Sequence, residues 1–208
     1  NWNRREHSYE NLTEKANEAS HVWLCVSDQA IPEFIERFSG LPALLLHSSG
    51  ALEFPGAHSV HPLMSFRPEI YDDDFYPRLA FTTVSDLSRE QLIPGLRQSL
   101  TRIPADKKTF YHAMCVLAGN GSVLLWQKFF GEMKQLGVPE AAARLYCDRI
   151  LSNMMSDPAS ALTGPLVRND RMTLLKDLQA LETDPYQSVL QALIQSYHQA
   201  SHNKGGRT

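Results

Sequence analysis

Between residues 21 and 84 the chain sets out short strand candidates, each ending in small or polar residues: "HVWLCV" (21–26), "ALLLH" (43–47), "HSVH" (58–61) and "RLAFTTV" (78–84). The first two are unbroken apolar runs. A strand wetted on one face alternates apolar with polar residues, whereas a strand covered on both faces needs no polar face at all. Between them, "IPEFIERF" (31–38) puts Ile31, Phe34, Ile35 and Phe38 at helical spacing. Pro32 sits in the first turn, where a missing N–H breaks no helical bond. Strand, helix, strand in this order predicts an α/β fold with a parallel sheet covered on both faces.

The pattern changes after "RIPADKK" (102–108). From 109 to 136 the spacing is helical, with Gly119 and Gly121 as weak interior breakers. A second helix starts after Gly137 and Pro139, "ALTGPLVRND" (161–170) reads as a loop, and two more amphipathic helices follow. The expected organisation is an α/β domain over 1–103 and an all-helical domain over 104–208.

Composition narrows the function classes. Twenty basic residues stand against 23 acidic ones, for a formal charge of −3 and no basic stripe. Nucleic acid is therefore not the expected partner. No apolar run reaches the ~20 residues that a membrane helix needs, so no membrane partner is expected either. Three cysteines, far apart and odd in number, suit a reduced, cytoplasmic protein. The opening "NWNRREHSYENL" reads as a strand end running into a basic turn, which suggests that residues are missing upstream.

Three histidines, His47, His58 and His61, fall within fifteen residues. His58 and His61 are three apart, which on one strand puts them on opposite faces. No nearby cysteine or carboxylate completes a three-ligand zinc set, so no metal site is expected. "HSSG" (47–50) holds two serines beside a histidine but lacks the G-x-S-x-G elbow of an α/β-hydrolase, which leaves a serine hydrolase as a weaker option. A ligand rim is the third reading, because open α/β sheets bind beyond the carboxyl ends of their strands. Val26 ends the first candidate strand and Ser27 and Asp28 follow it, His47, Ser48, Ser49 and Gly50 end the second, and His61 and Pro62 end the third.

"NWNRR", "HVWLCVSDQAI", "LLLHSSGAL", "GAHSVHPLMSF", "YHAMCVLAGN" and "ALTGPLVRND" occur in the order seen in Rossmann-like bacterial proteins with a C-terminal DUF2520 domain. The chain resembles that family, and through it pyrroline-5-carboxylate reductase and the β-hydroxyacid dehydrogenases. The resemblance implies a partial Rossmann-like sheet followed by a helical domain of the 6-phosphogluconate-dehydrogenase type. In such folds a first strand, Gly-rich turn and helix precede the place that "NWNRR" takes, and no G-x-G-x-x-G occurs in this sequence. Arg4 and Arg5 would then follow the second strand, where arginine meets the 2′-phosphate of NADP, although Glu6 keeps NAD open.

"VHP" resembles the His-Pro element of related dehydrogenases, which points to His61 as the polar group facing the reacting carbon. The family resemblance also places a lysine four residues before an asparagine on the first helix of the second domain. Asn120 fits the asparagine, but position 116 is Val116, which cannot donate a proton. His61 or His112 takes that role, the reaction differs, or there is none. The expected catalytic set is His61, Asn120 and His112, with His61 in a cleft within reach of Asn120. Thr163, Gly164 and Arg168 are assigned to an anionic substrate, with pairing of Arg168 to Asp170 as the plainer alternative. Asn169 or Asp170 would cap the helix that follows. The implied function is an NADP-dependent oxidoreductase acting on a small carbonyl, imine or hydroxy compound, or else a non-catalytic nucleotide sensor on the same scaffold. "VLLWQKFFGEM" is apolar over more than one helix face, so a homodimer through the helical half is expected.

Overall fold

The structure is a computed structural model that describes residues 9–205, with side chains over 12–202. Two compact units divide the chain, Asn1–Leu125 and Trp126–Thr208. This boundary falls later than the change of pattern at residue 103, because the helix that opens the second half is bonded to the strand ends of the first unit.

In the first unit, helix α1 (Tyr9–Glu18) leads into strand β1 (His21–Leu24), helix α2 (Ile31–Arg37) and strand β2 (Leu44–His47). Strand β3 (His58–Ser59) completes a three-stranded sheet in the order β1-β2-β3, parallel throughout. Burial on both faces explains the unbroken apolar runs. Leu24 and Leu45 pack with Leu12 and Ala16 of α1, Ile31 and Phe34 of α2, and Phe38 just beyond it. Leu46 and Trp23, one residue out of phase, pack with Val60, Phe81, Leu92 and Ile93 on the other face. Each fully buried Leu, Ile or Phe contributes roughly 1.5–3 kcal/mol.

"HSVH" is not one strand. His58 and Ser59 close the first sheet, and His61 and Pro62 form β4 of a second sheet with β5 (Ala80–Thr83) and β6 (Ser99–Arg102). Val60 is the joint between them: its N–H donates to the His47 carbonyl at 2.8 Å and its side chain is fully buried. The opposite-face relation expected for His58 and His61 is thus replaced by membership of two sheets. β4 pairs antiparallel with β5, which pairs parallel with β6. β6, "SLTR", is mostly exposed and carries no apolar run, so the sequence shows little sign of it.

A short helix α3 (Arg89–Leu92) opens with a Ser88–Gln91 capping box. The helix expected over 109–136 is interrupted. Helix α4 (Lys108–Val116) passes into a π-helical segment, Leu117–Gly121, and then α5 (Ser122–Gln135). Gly119 and Gly121 lie in that segment, where their missing side chains favour the wider turn. The second unit continues with α6 (Glu140–Ser156), α7 (Arg171–Ala180) and α8 (Tyr186–Gly205). Asp170, not Asn169, caps α7, accepting from the Thr173 N–H at 3.1 Å and its hydroxyl at 2.7 Å. Among the described residues no helix is long and apolar enough to cross a membrane.

Candidate active site

The carboxyl ends of β1 and β2 are joined by side chains. Ser49 Oγ donates to Asp28 Oδ2 at 2.8 Å and accepts from the Leu52 N–H at 3.0 Å. Trp23 Nε1 donates to Ser48 Oγ at 2.8 Å. Asp28 and Ser48 are half-buried, while Val26 and Ser27 are exposed.

His47, at the end of β2, is fully buried, edge-on to Phe54 with ring centroids 5.1 Å apart. Its Nδ1 accepts the Ser49 N–H at 3.2 Å, so the ring proton sits on Nε2, which has no hydrogen-bond partner among the described residues. Burial, with help from the Lys108 charge, lowers the His47 pKa to about 4. The ring is therefore neutral at pH 7. The sign of the linkage follows: the unfolded chain takes up the proton below pH 6.5, the folded one only near 4, so stability is lost as pH falls across that window. We expect roughly 2 kcal/mol less stability at pH 4.5 than at pH 7 from this group, with the slope absent in His47→Gln. Urea titrations at the two pH values measure it.

Gly50 follows directly and is where the site converges. A Cβ built there would lie 2.4 Å from His112 Cδ2 and 2.8 Å from His61 Nε2. Only glycine lets two imidazoles press this closely on the backbone. The His61 and His112 rings lie 6.1 Å apart, edge to face. His61 Nδ1 is 3.0 Å from the Tyr111 hydroxyl. Burial first, then the charges of His112 and Lys108, lower the His61 pKa, opposed by Asp28.

Helix α4 supplies the opposing wall through Lys108, Tyr111, His112 and Cys115. Their three- and four-residue spacing puts them on one helix face. Lys108 is 3% exposed. Its ammonium donates to the Leu52 carbonyl at 2.6 Å and pairs with Glu53. Thr109 Oγ1 adds a bond to the Ala51 carbonyl at 3.3 Å. The segment 51–53 is thus fastened to the start of α4, which brings His112 and Tyr111 against His61.

The structure brings together His61, His112, Gly50, Ser49 and Asp28 from the sequence-derived set. Pro62 sits next to His61 in β4, opposite Phe81. His58 lies apart and its Nδ1 meets Ser85 Oγ at 2.9 Å. Asn120 is exposed in the π-helical segment, eight residues beyond His112, and no hydrogen bond links it to His61 among the described residues. Thr163, Gly164 and Arg168 belong to the second unit. Thr163 and Arg168 are exposed, and Gly164 has φ 89°. Arg168 contributes to holding the Asp170 carboxyl below its usual range, after the stronger bonds from Thr173. Arg4 and Arg5 lie outside the described residues.

Sequence reasoning passed over Lys108, Tyr111 and Glu53. The signal was available in "KTFYHAMC", where polar residues recur at helical spacing inside an otherwise apolar helix.

A family model described as a domain of unknown function, DUF2520, matches residues 85–202, more than half of the chain. The chain belongs to the DUF2520 family. The match starts just after β5, so within this family the region runs from α3 through the Lys108–Tyr111–His112 face to α8. Two solved structures share the fold. One, BF3122 from Bacteroides fragilis, is provisionally named an NADP oxidoreductase. It has a TM-score of 0.67 at 19% identity, covering 84% of this chain and 73% of its own. The other, protein TM1727 from Thermotoga maritima, has a TM-score of 0.66 at 20% identity, covering 94% and 87%. No curated protein matches the chain. The DUF2520 chain thus has the Rossmann-like α/β region followed by helices that its sequence motifs predicted.

Proposed function

We propose that the protein is an NADP-dependent oxidoreductase acting on a small, anionic carbonyl, imine or hydroxy compound. The observation that carries this reading is the convergence of His61 and His112 on Gly50, at the carboxyl end of a parallel sheet. Ligands of open α/β sheets bind there. The provisional name of the Bacteroides fragilis neighbour points the same way.

The residues present fit the nicotinamide half of the cofactor. Val26, Ser27, Asp28, Ser48, Ser49, Gly50 and Pro62 would form the rim that meets the cofactor, with the small and polar groups that follow β1 and β2 on one side of it. His47, buried behind them, supports this rim rather than touching a ligand. Arg4 and Arg5 would take the 2′-phosphate, which favours NADP over NAD. When bound, the cofactor supplies the hydride. The chain's part is to orient the substrate and exclude water. His61 polarises the substrate oxygen or nitrogen, and His112 closes the pocket from the side of α4. The free thiols Cys25, Cys115 and Cys147 suit a reducing, cytoplasmic setting.

Isothermal titration of the full-length protein should show NADP binding more tightly than NAD. Absence of heat with both overturns the cofactor assignment. The second reading, a nucleotide sensor without turnover, is favoured by the exposed Val116 where related dehydrogenases place lysine. Hydride transfer with any 2-hydroxy acid, 3-hydroxy acid or cyclic imine rejects it.

The partner that the second unit calls for is another copy of the chain. Leu136, Leu145, Tyr146, Met155 and Met172 are each more than half exposed on its helices and the turn that follows α5. These exposed apolar side chains are what supports self-association through the helical half. Light scattering at micromolar concentration should return about twice the chain mass, and a monomer mass removes the homodimer.

A further inference from the structure

The second unit holds a cavity that the proposed chemistry leaves unused. Its volume is about 620 Å³, inside the ~300–1,000 Å³ usual for small-molecule sites. Helices α7 and α8 and the end of the 161–170 loop form its walls. Near the turn that joins the helices, Gln187 Nε2 donates to the Leu178 carbonyl at 2.9 Å. Arg171, which opens α7, shares the cavity with His198 and His202 from far along α8. The helices therefore run antiparallel, and the cavity has two unlike ends. Leu174, Leu178 and Ile194 wall it nearer the turn, while Arg171, His198 and His202 stand at the open end of the hairpin. His198 and His202 are four residues apart and so share one face of α8. Asn169 adds an amide at the same end, in a left-handed conformation (φ 53°) that asparagine tolerates better than most residues. No lining residue is acidic. Asp170, between two of them, is engaged as the cap of α7 by the Thr173 N–H and hydroxyl. Among the described residues, no hydrogen bond or ion pair occupies the side chains of Arg171, His198 or His202.

We propose that this cavity binds an anionic amphiphile of the fatty-acid kind. Its carboxylate sits at Arg171, His198 and His202, and its chain runs along Leu174, Leu178 and Ile194. The guanidinium is a planar fork that matches a carboxylate, and each imidazole adds an N–H donor. A purely apolar compound would leave these donors without an acceptor. A cation would meet the Arg171 charge with no acid in the wall to receive it. The exposed side chains that support self-association, Leu136, Leu145, Tyr146, Met155 and Met172, do not line the cavity. The site stands apart from the oxidoreductase reading, because all of its residues belong to the second unit.

Isothermal titration of the full chain with decanoate, octanoate and decylammonium tests the site. The chain carries a formal charge of −3, so undirected binding would favour the cation. Decanoate should instead bind at least about tenfold tighter than decylammonium, the scale of a hydrogen bond to a charged group. Octanoate should bind roughly tenfold more weakly than decanoate, since each buried methylene adds about fourfold. Arg171→Gln should weaken decanoate about tenfold, and so should the double variant His198→Gln, His202→Gln. Arg171 and His202 are exposed, so the fold survives these changes. Lys176→Gln, on α7 but outside the cavity, is the control and should leave the affinity as it was. Absence of heat with decanoate up to about 5 mM overturns the site, since that is below the weakest useful affinity. Equal or tighter binding of decylammonium overturns the anionic head, and affinity unmoved in both variants overturns the place assigned to it. In light scattering, decanoate should leave the mass unchanged. A mass halved by decanoate would show that a second copy of the chain occupies the cavity, which also overturns the ligand site.

Discussion

His61→Asn should lower turnover by about 100- to 10,000-fold, the usual range for removing a general acid–base group. The affinity for NADP should stay nearly unchanged, because a dinucleotide is held mainly through its phosphates and ribose. The asparagine amide can still donate a hydrogen bond, but it does not titrate and so cannot act as a general acid or base. The matching control is His58→Asn. His58 meets Ser85 in the loop after β5, apart from His61, so its loss should leave turnover as it was. Steady-state kinetics beside a cofactor titration separates the two. A His61→Asn enzyme within about threefold of wild type would remove His61 from the chemistry, since that lies far below the expected acid–base range.

The second large effect is on stability, at the Lys108–Glu53 pair. The two partners are unequal: the Lys108 side chain is 4% exposed and that of Glu53 40%. Glu53→Gln leaves a buried ammonium with only the Leu52 carbonyl and a neutral amide. Breaking such a pair from one side costs about 3–5 kcal/mol. Lys108→Met keeps the apolar stem and removes the charge, and the half-exposed Glu53 can turn to water, so the cost should be nearer 1 kcal/mol. Burial already lowers the Lys108 pKa in the folded protein. Between that lowered value and 10.5 the unfolded chain binds more protons than the folded one, so stability from this group rises with pH. The Glu53→Gln deficit should accordingly shrink between pH 7 and pH 10. Denaturant midpoints of both variants at the two pH values check the order, and a larger loss in Lys108→Met would show that the pair is not what fastens residues 51–53 to α4.

Much of the α/β half was legible because its cause is local. Leu44, Leu45 and Leu46 read as a doubly covered strand, and they pack on both faces of the first sheet. Pro32 and the Ile31–Phe34–Phe38 spacing read as α2. The order of the six motifs carried the family. The break at Val60 was not legible. Nothing in "HSVH" says that two residues serve one sheet and two another. That division depends on the His47 carbonyl capturing the Val60 N–H and on Phe81 and Leu92 burying the Val60 side chain.

The site divides in the same way. Gly50 and His61 stood at predicted strand ends; Gly50 does follow β2, whereas His61 opens β4 of the second sheet, so the rule about open sheets selected it for a reason that the structure does not share. Lys108, Tyr111 and Glu53 were passed over because a lysine or tyrosine at helical spacing looks the same whether it faces water or a ligand. Asn120 was selected by resemblance, and it stands on an exposed turn of the π-helical segment. By itself, then, the sequence determined the parallel sheet and the helical second half, and it singled out His61 and His112, since hydrophobic periodicity and turn chemistry act over a few residues. Tertiary structure alone decided which groups meet those histidines. A 2.6 Å bond from Lys108 to the Leu52 carbonyl and a 3.0 Å contact from Tyr111 to His61 join positions 50 or more residues apart, and no short-range pattern encodes a distance of that kind.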